Sequence, residues 1–149
     1  MIKFLEKLIS KEAHSKDIDE QDLKVATAGL FIEMVYADFD VHPEEEKQLF
    51  KALHTLFNLS GTEVQQLIDE ARETREERHD IWRFASVLKD HLSREQRLKI
   101  LTNLWQIVYA DGRIDKYEDA LMRKITNLLG LDHSDMIETK LAVKNRFEE

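Results

Sequence analysis

The feature that most constrains this chain is a duplication. Val35-Tyr36-Ala37-Asp38 returns 73 residues later as Val108-Tyr109-Ala110-Asp111. In the same register Glu33-Met34 lies on Gln106-Ile107, Val41 on Ile114 and Glu45 on Glu118. After a one-residue gap, Leu49, Leu53, Leu56, Phe57 and Leu59 match Leu121, Ile125, Leu128, Leu129 and Leu131. Consecutive identities followed by a matched apolar pattern mark one unit used twice: a buried helix, an acidic loop and a second helix. The period is too long for the usual solenoids. It implies two similar helical hairpins packed about a pseudo-twofold axis, with their acidic loops in comparable positions.

The rest of the chain reads as helix too. With 4 Gly and 1 Pro in 149 residues, it lacks the turn residues that a sandwich or barrel consumes. Ile2, Leu5, Leu8 and Ile9 recur at helical spacing, so residues 2–12 are predicted as an amphipathic helix, followed by a polar linker through Ile18. Its stripe is expected to dock on protein rather than on a membrane surface. Asp19 can cap a helix to about Ala37, whose second half is apolar nearly all round and therefore central. Pro43 suits the first turn of the next helix, with Leu49, Phe50, Leu53, Leu56 and Phe57 as its buried stripe. Ser60 with Glu63 forms a capping box, and so does Ser93 with Gln96. They open helices burying Val64, Leu67, Ile68 and Ala71 in one case, and Leu98 to Tyr109 in the other. Between them, Arg72 to Asp80 is a charged, solvated helix end, and residues 80–92 form a helix whose Trp82, like Trp105 later, is expected in the core. Further helices are predicted over 116–129, stopped by Gly130, and from about Asp132 to Phe147. The predicted fold is all-α, one compact domain of about seven to eight helices. Residues 1–18 form an N-terminal helix and linker, and 19–149 the helical domain, with repeat one at about 20–75 and repeat two at about 94–147.

Composition excludes several functions. There is no cysteine, hence no disulfide, thiolate metal site or cysteine nucleophile, and a reducing compartment is natural. A formal net charge of -8 repels nucleic acid and anionic membranes and favours cations or basic partners. The first ten residues lack the apolar run of a signal peptide. The most apolar stretch, Val25 to Ala37, is interrupted by Glu33 and too short to span a bilayer. A cytoplasmic protein is expected, with no stable membrane association and no nucleic-acid partner. No phosphate-binding glycine loop, Gly-x-Ser-x-Gly elbow or His-Glu-x-x-His helix occurs, so no enzymatic activity is expected.

Chemistry concentrates in the loops. The first reads Asp38-Phe39-Asp40-Val41-His42-Pro43-Glu44-Glu45, the second Asp111-Gly112-Arg113-Ile114-Asp115-Lys116-Tyr117-Glu118. Ca²⁺, Mg²⁺ and Mn²⁺ take several oxygen ligands, which Asp38, Asp40, Glu45, Asp111, Asp115 and Glu118 can supply, and His42 widens the range toward Zn²⁺. Neither loop is an EF-hand, because the twelfth position is Leu49 or Met122 where that motif needs a chelating glutamate. The competing reading is capping: Asp115 with Glu118, and His42 with Glu45, have capping-box spacing, and Asp38 or Asp111 can bond backbone donors in a tight loop.

Tyr36-Ala37-Asp38 and Tyr109-Ala110-Asp111-Gly112, each with a glutamate seven residues past the aspartate, resemble the tellurite-resistance TerB family. Asp80-Ile81-Trp82-Arg83-Phe84 and Leu104-Trp105-Gln106-Ile107-Val108 are similar to a stand-alone branch of it. The resemblance spans nearly the whole chain. It implies an all-helical fold, a link in some members to tellurite and metal-stress operons, and metal-binding loop acids that map onto Asp38, Glu45, Asp111 and Glu118. Phe39 departs from the pattern where the second copy has Gly112. The expected function is a non-enzymatic module binding a divalent cation, with a protein partner or homodimer in addition. The alternative is a protein-interaction domain whose loop acids only cap helices. Direct tellurite reduction is disfavoured in a chain with no thiol and no cofactor motif.

Overall fold

The central helix of the fold follows from its sequence: from Val25 to Val35 every residue except Glu33 is buried. A computed structural model describes residues 18–35, 43–77, 81–111, 114 and 116–148. Among them are seven α-helices: α1 Glu20–Val35, α2 Pro43–Phe57, α3 Gly61–Glu77, α4 Ile81–His91, α5 Arg94–Val108, α6 Lys116–Leu128 and α7 His133–Glu148. No strand occurs among the described residues. The all-α expectation holds. The helix predicted over 2–12 lies outside the described residues.

Each repeat is a three-helix unit, α1-α2-α3 and α5-α6-α7, in which the first and third helices pack together and the second packs on both. The units meet where α1 and α2 pack on α5. Leu23 and Lys24 near the start of α1 surround one groove with Gln96 and Ile100 near the start of α5, and with Leu56 at the end of α2. The helices therefore alternate in direction along the bundle. The ends of α1 and α5, from which the acidic loops depart, lie at the same end, opposite that groove. The helix α4 lies between the two units, bridging α1 of the first and α6 of the second. At the α1–α4 crossing the Phe84 ring fills the space beside the bare Gly29 backbone, where a Cβ would lie 2.8 Å from the ring.

Helix ends follow local chemistry. At the groove end all four starting helices carry reciprocal caps. Asp19 and Asp22 exchange backbone-to-carboxylate bonds of 3.0 and 2.9 Å, Ser60 and Glu63 bonds of 2.9 and 3.2 Å. Ser93 with Gln96 and Asp132 with Asp135 do the same. The stop at Gly130 is a Schellman motif: φ is 72°, Gly130 N–H donates to Asn127 O and Leu131 N–H to Thr126 O. Its counterpart in the first repeat is Asn58, at φ 53°, with Leu59 N–H donating to His54 O. The sequence reading missed this one, although asparagine is the usual substitute for glycine there. Arg97 Nη1 donates to Leu129 O at 2.6 Å and holds the α6 terminus onto α5.

Two expectations need correction. The helix opened by the Ser93 capping box, read as burying residues through Tyr109, ends at Val108 and tightens into a 3₁₀ turn, Tyr109–Asp111. Trp82 is not in the core: it is 56% exposed, whereas Trp105 is fully buried. In α4 the buried face is taken by Phe84, Ala85 and Leu88, and Trp82 sits on the helix about 200° away from Phe84.

Candidate functional site

The second helix of each repeat begins with an acidic first turn: Glu44, Glu45 and Glu46 in α2, Glu118 and Asp119 in α6. Acids there complement the exposed N–H groups and the positive helix end. Their depth is the unexpected part. Glu45 and Glu118 occupy the same position, third in the helix, and are only 1% and 3% exposed. Glutamate is almost never so buried without compensation. The helix N-terminus supplies part of it, and both residues make interactions with their surroundings.

The second loop is tied into the core at its start. The turn Tyr109–Asp111 packs on α2, the helix that carries Glu45, as well as on α5 and α7. The Trp105 and Tyr109 rings lie 6.1 Å apart and tilted by 39°. Lys140 Nζ stands 5.3 Å above the Trp105 ring and 3.7 Å from Asp119 Oδ1, while Arg123 reaches Asp119 at 3.3 Å. A cation over a tryptophan face is a favourable electrostatic contact. Asp119 is thus engaged by basic side chains, and the first turn of α6 is anchored to α7 and, through Lys140, to α5.

Of the seven sequence-predicted site residues, Glu45 and Glu118 are therefore buried at equivalent helix starts, and Asp111 closes the 3₁₀ turn. Asp38, Asp40, His42 and Asp115 lie outside the described residues. Among the described residues no three histidine or carboxylate side chains converge as metal ligands.

Two further buried carboxylates escaped the sequence reading, Asp22 and Asp135, 6% and 4% exposed. Both stand third in their helices, as Glu45 and Glu118 do, and both serve in reciprocal caps. Their signal was present as Asp-x-x-Asp spacing at helix starts. Asp135 also accepts a two-pronged pair from Arg94 at 3.0 and 2.5 Å. The guanidinium of Arg94, with the Asp132 backbone donor second, holds the Asp135 carboxyl down at about 2, from the usual 3.8.

Comparison with known proteins identifies the fold's relatives. The family model described as "Tellurite resistance protein TerB" matches residues 24–141, from the buried part of α1 into α7. The chain belongs to the TerB family. Both acidic loops and both buried glutamates fall within the matched residues. Curated proteins yield no significant match. The TerB fold seen here is similar to the crystal structure of a protein of unknown function from Porphyromonas gingivalis W83. The two are 22% identical with a TM-score of 0.64, over 86% of this chain and 97% of that one, a likeness of fold alone. No helix among the described residues is long and apolar enough to cross a membrane.

Proposed function

We propose that this TerB-family chain is a non-enzymatic, cytoplasmic module that binds a divalent cation through its acidic inter-helix loops, in the service of metal or tellurite stress. The observation that carries the reading is the pair of glutamates, Glu45 and Glu118, buried at equivalent helix starts directly after the two acidic loops. A buried carboxylate gains most where a cation is at hand, and the loops bring Asp38, Asp40 and His42, or Asp111 and Asp115, within a few residues of it. Ca²⁺, Mg²⁺ and Mn²⁺ suit the oxygen donors, and Zn²⁺ would draw on His42. A basic protein segment or a second copy is the accompanying partner class, given the net charge of -8. The non-enzymatic reading rests on the missing nucleophile and phosphate-loop motifs, and a thiol-free chain fits a role other than tellurite reduction.

One observation favours a second reading, an interaction domain whose loop acids only cap. Asp22 and Asp135 are nearly as buried in the same helical position, and both are caps. Calorimetric titration of chelator-treated protein separates the two. Binding of one of Ca²⁺, Mg²⁺, Mn²⁺ or Zn²⁺ should be saturable and weaken at least tenfold in Asp111→Asn, about 1.4 kcal/mol. Absence of heat, together with an unmoved melting temperature for all four ions, would leave capping as the role.

A further inference from the structure

At the end of the bundle opposite the C-terminal ends of α1 and α5 lies a groove of about 390 Å³ between the two repeats. Glu20, Lys24, Thr27, Asn58, Gln96 and Lys99 give it polar lining. Its apolar lining is Leu23 of α1, Leu56 and Phe57 of α2, Leu92 after α4, and Ile100 of α5. All but Ile100 are only partly buried, so the groove presents apolar surface that the described fold leaves uncovered. Glu20, the first residue of α1, stands at its lip.

We propose that the groove is the docking site for this chain's own residues 2–12. That segment is predicted as an amphipathic helix with Ile2, Leu5, Leu8 and Ile9 along one stripe, and Phe4 beside them. It is joined to the groove's lip by residues 13–18, a linker that spans at most about 20 Å. A tether of that length holds the segment at roughly millimolar effective concentration, above what a second copy reaches in solution. The mixed charges beside the stripe, Lys3, Lys7 and Lys11 with Glu6 and Glu12, give an anionic membrane little to hold, which favours the apolar groove as the partner. The groove is then an internal joint that closes the apolar seam between the repeats, distinct from the acidic end.

The absence of cysteine makes a single-label experiment clean. A nitroxide on Ser10→Cys in the full chain should broaden the amide signals of residues 23–27, 56–58 and 92–100 within the same molecule. Leu5→Asp with Leu8→Asp should abolish that broadening and speed hydrogen exchange at the same amides. Broadening that is absent, centred elsewhere, or retained in the aspartate variant overturns the proposal. So does broadening that appears only when labelled chains are mixed with isotope-enriched unlabelled ones, which assigns the groove to a second copy. Broadening that requires anionic vesicles likewise overturns it in favour of a membrane.

Discussion

Replacing Asp135 by asparagine isolates one interaction whose size and pH dependence both follow from the geometry. The carboxylate receives two prongs from Arg94 and one bond from the Asp132 backbone, and is only 4% exposed. Its pKa of about 2, against the usual 3.8, corresponds to about 2.4 kcal/mol at 1.36 kcal/mol per unit. Arg94 is 57% exposed, so solvent screening brings the expected loss to about 1–1.5 kcal/mol. Asparagine keeps an oxygen for the cap, and the solvated Arg94 head is not stranded, so no larger penalty is added. For a chain of 149 residues this lowers the melting temperature by roughly 2–6 °C. Because the folded pKa is depressed, the contribution is present above the unfolded value near 3.8 and is lost as pH falls through about 2. Urea unfolding followed by circular dichroism should therefore give a constant gap between parent and variant from pH 7 to 5. The gap should shrink to about half by pH 3. In an Arg94→Gln background the same substitution should cost less by at least about 0.5 kcal/mol. A gap that is negligible at pH 7, or that persists undiminished at pH 3, would refute the assignment.

Two further substitutions probe the packing. Gly29→Ala places a methyl 2.8 Å from the buried Phe84 ring and should destabilise by about 1–3 kcal/mol, read as a lower urea midpoint at unchanged slope. Trp105→Ala should cost about 3–5 kcal/mol, whereas Trp82→Ala should stay within about 0.5 kcal/mol, and iodide should quench Trp82 fluorescence in the folded protein while sparing Trp105.

The capping boxes at Ser60 and Ser93 were legible because both partners lie three residues apart and the bond is made within one turn. The stop at Gly130 was legible for the same reason, since a left-handed residue is a local demand. Trp82 was not. The helix α4 carries Ile81, Trp82, Phe84, Ala85, Val87 and Leu88 on several sides, and only the docking of α1 and α6 decides which of them face inward. The Arg94–Asp135 pair joins residues 41 apart in the chain and left no local trace. For the candidate site, the helix-start position of Glu45 and Glu118 could be read from spacing, but their depth could not.

By itself the sequence determined the all-helical character, the duplication, the helix starts and the family, because propensity, capping and periodicity act over a few residues. The tertiary structure alone decided that α4 bridges the two units, and that the ends of α1 and α5 share one end of the bundle. It also decided that Glu45 and Glu118 sink below the surface there. Burial belongs to no residue alone: it is set by which helices lie across it, and that depends on contacts between segments far apart in the chain.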